Sequence, residues 1–353
     1  MAKAHPKPIN LALQGGGSHG AFAWGVLDRL LAKDEVTINA VTATSAGAMN
    51  AAVLAYGLHL GGHEAAREKL EEFWKKVSEV RADFGWTPAN LLEAIPGFRR
   101  ASQTLNYFFL QTLQHSLSPY QVNPFDYNPL KDVLTDVVDF EELKKCEATK
   151  LFITATNVRS GTARVFRTEE ICAEHIMASA ALPNLYQAVE IDGEAYWDGG
   201  YMGNPSLWPL FYQTEVQDLL IVHLNPIVRK DIPKLSGEIA NRMNEISFNS
   251  SLLKELRAIA FVQKLLRDDW LKDDFKDRLS NIHVHSIRAE TTFRDMSLAS
   301  KYDTAWSFLT DLKQRGIEEA DAWIDTHGEA IGKRSTVDLH GDFLDGETIL
   351  KAQ

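Results

Sequence analysis

The sequence predicts an α/β protein built on a mostly parallel sheet. Two observations carry this. Strand, turn and helix follow one another twice at the N-terminus, at residues 9–33 and again from residue 36. Further β-branched runs at 150–157, 163–167, 217–224 and 281–287 are then separated by stretches of helical periodicity. A chain of 353 residues with 45% hydrophobic content is long enough to bury a sizeable core.

The elements follow in order. Residues 9–14 (INLALQ) read as a short buried strand, broken by Gly15, Gly16 and Gly17. Phe22, Val26, Leu27, Leu30 and Leu31 then recur at helical spacing. Residues 36–43 (VTINAVTA) form a second strand, and AGAMNAAVLAYG after Ser45 is small and apolar on nearly all sides, as a central buried helix requires. Residues 63–82 read as a charged surface helix. Residues 84–130 are rich in aromatics, including Tyr107, Phe108 and Phe109, and are interrupted by prolines, so an insertion or lid is expected there. A helix near 170–180, the loop ALPNLY and a strand pair ending at Trp197 follow. Residues 250–279 form an amphipathic helix with Leu252, Leu256, Ile259, Leu266 and Trp270 on one face, which core packing explains more simply than a membrane or partner. Residues 300–334 are largely helical.

Charge and composition exclude several functions. A net charge of -11 repels phosphate backbones, so no nucleic acid is expected as partner, and there is no general attraction to anionic lipid. Cys146 and Cys172 form no CxxC pair and no metal-ligand spacing, which fits idle thiols in a reducing compartment. The segment MAKAHPKPIN lacks the apolar region of a signal peptide, and no run of about 18 apolar residues occurs. The expected location is cytoplasmic, with at most peripheral contact to a membrane. No metal is expected: His283 and His285 share a strand face, but no third ligand accompanies them.

Three short motifs carry chemistry. GGGSHG, Gly15 to Gly20, sits at a strand-to-helix turn, where backbone N–H groups converge and the helix N-terminus favours an anion. The same residues fit the dinucleotide pattern through Gly15, Gly17 and Gly20. That reading needs an acid at the end of the second strand, whereas Asp34 and Glu35 precede the strand and it ends in Thr44-Ser45. Ala43-Thr44-Ser45-Ala46-Gly47 has the form of a nucleophile elbow, with Ala43 where the first glycine usually stands. Read alone, Ser45 is equally a helix N-cap. Asp198-Gly199-Gly200 follows the strand EAYW and is by itself a common turn. It gains meaning beside a serine nucleophile, which needs a base.

Taken together, GGGSHG, ATSAG and ASAALPNLYQAVEIDGEAYWDGGYMGNP resemble the patatin-like phospholipase family over about residues 8–225. The resemblance implies a three-layer sandwich with a mostly parallel sheet between helices. It implies Ser45 as nucleophile, Asp198 as its partner, and the backbone of Gly15, Gly16, Gly17 and Ser18 as oxyanion hole. Ala43, Gly47, Gly199 and Gly200 then support the elbow and the Asp loop. The implied activity is metal-free and cofactor-free hydrolysis of lipid or acyl esters. A catalytically weak lipid-binding protein and an acyltransferase are the alternatives, and self-association is left open. Residues 1–299 are expected to form the hydrolase domain, with 300–353 as a helical extension packed on it. Two departures stand out: Ala43 in the elbow, and His19 where the family commonly has Arg or Lys. A Ser-His-Asp triad would have to use His223, at the end of DLLIVHL. A strand-end histidine bonded to a backbone carbonyl is the simpler expectation.

Overall fold

The computed structural model describes residues 6–33, 35–80, 117–229, 231–272, 279–294, 296, 298–346 and 348. The helices and strands run in the order β1 (Lys7–Leu13), α1 (Gly20–Ala32), β2 (Val36–Ala43), α2 (Ala46–Glu79), α3 (Pro119–Val122), α4 (Pro129–Val137) and α5 (Phe140–Leu143). Next come β3 (Lys150–Asn157), β4 (Ala163–Arg167), α6 (Ala173–Ser179), β5 (Val189–Ile191), β6 (Glu194–Asp198), α7 (Trp208–Gln213) and β7 (Asp218–His223). The chain closes with α8 (Ser236–Arg267), β8 (His283–Arg288), α9 (Glu290–Phe293) and α10 (Trp306–His327). Single 3-10 turns lie at Gly17–His19, Gly199–Tyr201 and Leu298–Tyr302.

The strands form one sheet in the order β5-β6-β3-β2-β1-β7-β8, with β4 pairing β3 off this path. Every pairing from β3 through β2, β1 and β7 to β8 is parallel, while β4 and β6 pair β3 antiparallel. Such a centre has helices on both faces, which is why β1 and β7 are apolar along most of their length rather than alternating. Leu11 and Leu13 belong to a core shared with α1, α2 and α10. Ala12, between them, points to the other face and a second core with Leu252, Leu256 and Ile259 of α8. The architecture is therefore the expected three layers.

The first and last long helices touch at unusually short range. A methyl group added at Gly25 of α1 would lie 1.9 Å from the Lys313 carbonyl oxygen, and one at Gly316 of α10 would lie 2.1 Å from that of Phe22. Lys313 covers the seam, its Nζ 4.2 Å from the centre of the Trp24 ring.

Two helices differ from the sequence reading. The buried helix after Ser45 and the charged helix of residues 63–82 are one element, α2, broken only at Gly61 and Gly62, where Gly62 has φ +72. The amphipathic helix begins at Ser236 rather than 250 and ends at Arg267 rather than 279. Residues 236–249 are rich in Ser and Asn, which hides their helicity, and burial of Glu245, Phe248 and Asn249 overrides that weak propensity. Leu252, Leu256 and Ile259 are buried as expected, whereas Trp270 lies beyond the helix and is exposed. Of the aromatic segment 84–130 only residues 117–130 are described, and there Tyr120, Phe125 and Tyr127 face solvent. Tyr107, Phe108 and Phe109 lie outside the described residues.

The glycine seam predicts that Gly25→Ala lowers stability by about 1–3 kcal/mol, because the added methyl has no room without backbone displacement. The midpoint of denaturant unfolding measures this. An unchanged midpoint would show that α1 and α10 separate without cost.

Candidate active site

Ser45 follows β2 at a turn too sharp for ordinary backbone, with φ 56 and ψ -125. A non-glycine residue there is strained and needs the surroundings to hold it. They do so by hydrogen bonding: Ser45 N–H donates to Ser179 Oγ at 2.9 Å, and Ser179 Oγ donates to the Thr154 carbonyl at 2.6 Å. The close approach also demands small neighbours. A methyl at Gly47 would lie 2.4 Å from Leu13 O, and one at Gly15 would lie 2.6 Å from Ser45 Cβ. Ala43 is fully buried between Leu13 and Ile153, so its methyl is accommodated within the sheet. Ser45 occupies the N-cap position of α2, yet its side chain makes no capping hydrogen bond. The hydroxyl is thus left available to other groups, which the N-cap reading did not expect.

Asp198 ends β6 and is completely buried. Its backbone is pinned on both sides: the N–H donates to Ala181 O at 2.9 Å, and the carbonyl accepts from Thr156 Oγ1 at 2.8 Å. Carboxylate oxygen Oδ1 accepts the Gly200 N–H at 2.7 Å. Both glycines after it are forced by packing, since a methyl at Gly199 would lie 2.0 Å from Thr154 O and one at Gly200 2.2 Å from the Phe248 ring. Burial pushes the Asp198 carboxyl up to about 7, opposed by the Gly200 N–H, the Ser45 hydroxyl and the charge of Lys301. Oxygen Oδ2 meets no donor in full hydrogen-bond geometry. The Ser45 hydroxyl, which helps to hold the carboxyl's pKa down, therefore interacts with it only loosely.

The glycine loop divides its work. Gly15 N–H is already taken by Asn204 Oδ1 at 2.7 Å, so its contribution is space for Ser45 and not a free donor. Among the described residues no acceptor takes the N–H of Gly16, Gly17 or Ser18. Gly17 is exposed and adopts φ +59, the left-handed conformation that glycine tolerates. Gln14 fixes the base of the loop: its Oε1 accepts from Leu224 N at 2.8 Å and Asn225 N at 3.0 Å, and its Nε2 donates to Asn249 Oδ1 at 3.1 Å.

The model of the patatin-like phospholipase family matches residues 11–211, which include the glycine loop, the elbow and the Asp loop. The chain belongs to that family. No curated protein matched it. Among solved structures it is similar to VipD from Legionella pneumophila, at 14% identity and TM-score 0.44, covering 91% of this chain and 67% of that one. It is similar also to the type III effector ExoU, at 13% identity and TM-score 0.28, covering 98% of this chain and 69% of that one. Neither likeness is close enough to bear on function.

In this patatin-like chain no histidine among the described residues hydrogen-bonds to Ser45 or Asp198. His223 is buried, stacks on Phe343 with ring centres 5.3 Å apart, and has no hydrogen-bond partner at either ring nitrogen. The expected bond to a backbone carbonyl is absent, because the ring packs in an apolar pocket. Burial and the nearby Arg288 charge push its pKa down to about 3. His285 Nε2 pairs with Asp218 Oδ1 at 2.9 Å, and His283 Nδ1 lies 3.4 Å from the same oxygen. Among the described residues no group of three or more His, Cys, Asp or Glu side chains is placed to hold a metal. A cavity of about 540 Å³ opens near this pair, lined by Lys7, Asp218, His283 and Lys333. It lies at the amino ends of β1, β7 and β8, and neither Ser45 nor Asp198 lines it.

Sequence reasoning missed four polar residues that build the site: Ser179, Asn204, Asn225 and Lys301. Ser179 and Asn204 stand inside the quoted family motif, where their presence is the only signal. Asn225 and Lys301 carry no local signal, because only the fold brings them beside the loop.

Proposed function

We propose that this patatin-like phospholipase cleaves carboxylic esters of lipids through Ser45 and Asp198 without a histidine. The observation that carries the proposal is the pairing of a buried carboxyl, raised to about 7, with a strained serine whose hydroxyl caps no helix. Ser45 Oγ attacks the ester carbonyl carbon while its proton passes to Asp198. The N–H groups of Gly16, Gly17 and Ser18 receive the oxyanion. Collapse of the tetrahedral intermediate expels the alcohol, which takes the proton from Asp198 and leaves an acyl-Ser45. Water then attacks this ester with Asp198 again as base, and collapse of the second tetrahedral intermediate releases the free acid while Asp198 returns the proton to Ser45 Oγ.

A raised pKa suits this role. A carboxylate of ordinary pKa is a poor base for a serine hydroxyl at neutral pH, and desolvation strengthens it. The base must be ionised, so activity is lost as pH falls through about 7 and is gained above it. Residues 1–299 act in this reading as the hydrolase domain, with 300–353 packed on it through α10.

Contact with a lipid surface is part of the proposal. Ile232, Leu235, Ile239, Met243 and Ile246 are exposed at helical spacing along and just before the start of α8. That helix borders the site, since its Phe248 packs on Gly200. No described helix is long and apolar enough to cross a membrane.

Two tests follow. On a panel of lipid esters, Ser45→Ala and Asp198→Asn should each lose at least about 10³-fold in kcat, with the fold retained by circular dichroism, while His223→Ala stays within a small factor of the parent. A loss in His223→Ala as large as that in Ser45→Ala would replace the dyad by a triad. For the lipid surface, Met243→Ser combined with Ile246→Ser should weaken hydrolysis of vesicle lipid more than that of a soluble short-chain ester. Equal effects on both substrates would remove the membrane reading.

A further inference from the structure

His19 lies within the glycine loop and carries no permanent charge. It is buried, stacks flat on Phe293 at 4.0 Å, and shares a hydrogen bond of 2.7 Å between Nε2 and Ser300 Oγ. Burial and the neighbouring Lys301 charge both lower its pKa well below the usual value. The residue after its partner Ser300 is a lysine, and it lies outside the segment that matches the family.

We infer that Lys301 is a positioning residue that holds a positive charge beside the glycine loop and Asp198. This rests on the dyad proposed above. The turn Leu298–Tyr302 lies directly on the loop: a methyl at Gly17 would stand 2.4 Å from the Lys301 carbonyl oxygen. The ammonium is tied on both sides of the site. It donates to Asn225 Oδ1 at 2.9 Å, and Asn225 Nδ2 in turn donates to Gly15 O at 2.9 Å. It also donates to Asn244 Oδ1 at 3.1 Å and lies 6.0 Å from the centre of the Phe248 ring, the ring that packs on Gly200.

These hydrogen-bond partners are neutral amides, and among the described residues no carboxylate forms a direct ion pair with the ammonium. The groups that face it are Asp198 from β6, Glu245 from α8, Arg229 from the loop after β7, and the neutral His19. Glu245 is already paired with Arg229 and Arg242. Among the described residues Lys301 is the one cation whose charge acts on Asp198. Within the turn itself Tyr302 follows, and next to it Asp303 accepts the Ala305 N–H. Lys301 therefore acts on Asp198, where it favours the ionised base, and on the oxyanion that forms beside the same loop. Burial lowers Lys301 to about 8, so its charge is present below that pH and lost above it. The active form has Asp198 ionised and Lys301 protonated, which gives a bell-shaped profile with limbs near 7 and 8.

The test is the pH dependence of kcat/KM on a soluble ester for the parent, Lys301→Met and Lys301→Arg, with thermal melts of each. Lys301→Met should lose about 10- to 100-fold at pH 7, shift its acid limb to higher pH and lose the alkaline limb. Lys301→Arg should keep the acid limb and most of the activity, and lose the alkaline limb because a guanidinium stays charged. Wild-type limbs in Lys301→Met would overturn the inference whatever the rate. Should Lys301→Met fail to fold, an alkaline limb near 8 retained in Lys301→Arg would overturn it equally. Failure of the underlying dyad shows differently, as activity that survives in Asp198→Asn.

Discussion

The site depends on one carboxyl group held out of water. Asp198 has no exposed surface, and removal from solvent lifts its pKa to about 7. A buried carboxylate is costly unless its oxygens find donors. Here Oδ1 accepts the Gly200 N–H, and Oδ2 meets no hydrogen-bond donor among the described residues. In the proposed mechanism that imbalance is the chemical resource of the site, since a carboxylate that is ionisable near neutrality and short of donors would serve as base for a hydroxyl. The Gly200 N–H, the Ser45 hydroxyl and, least of the three, the Lys301 charge oppose the rise in its pKa.

Close backbone approach is the means by which the fold holds this arrangement. Gly15, Gly47, Gly199 and Gly200 each stand where a methyl group would collide with backbone or with a fixed ring or side chain. The parallel centre of the sheet delivers Gly15 and Ser45 from the carboxyl ends of adjacent strands, β1 and β2, where ligands bind in open α/β sheets. The antiparallel strand β6 then brings Asp198 in beside Ala155 of β3. Ser179 joins the two halves, accepting from Ser45 N–H and donating to Thr154. The strain stored at Ser45 is thus opposed by hydrogen bonds from a helix more than 100 residues away in sequence.

Much of this was legible in the residues. The strands 36–43, 150–157 and 163–167 were read with the boundaries that the structure has, because apolar runs bounded by turn residues leave little choice. The three motifs marked the loop, the elbow and the Asp turn. What escaped was of two kinds. The start of α8 was hidden because residues 236–249 include Ser236, Gly237, Asn241, Asn244, Ser247 and Asn249, which favour helix weakly, and tertiary burial stabilises the helix there. Asn225 and Lys301 were invisible because their partners, Gln14, Gly15 and the Asp198 loop, are remote in sequence. Gly15 shows a finer limit: the motif suggested a donor, whereas Asn204 occupies that N–H.

The most direct test of the account is the pH dependence of covalent inactivation by a fluorophosphonate, which reports serine reactivity without lipid binding or product release. The account predicts an adduct on Ser45 in the digested protein, and an inactivation rate that rises through an ionisation near pH 7, falls through one near 8, and is abolished in Asp198→Asn. Labelling of another serine, or a rate in Asp198→Asn that still rises through the same ionisation, would contradict it.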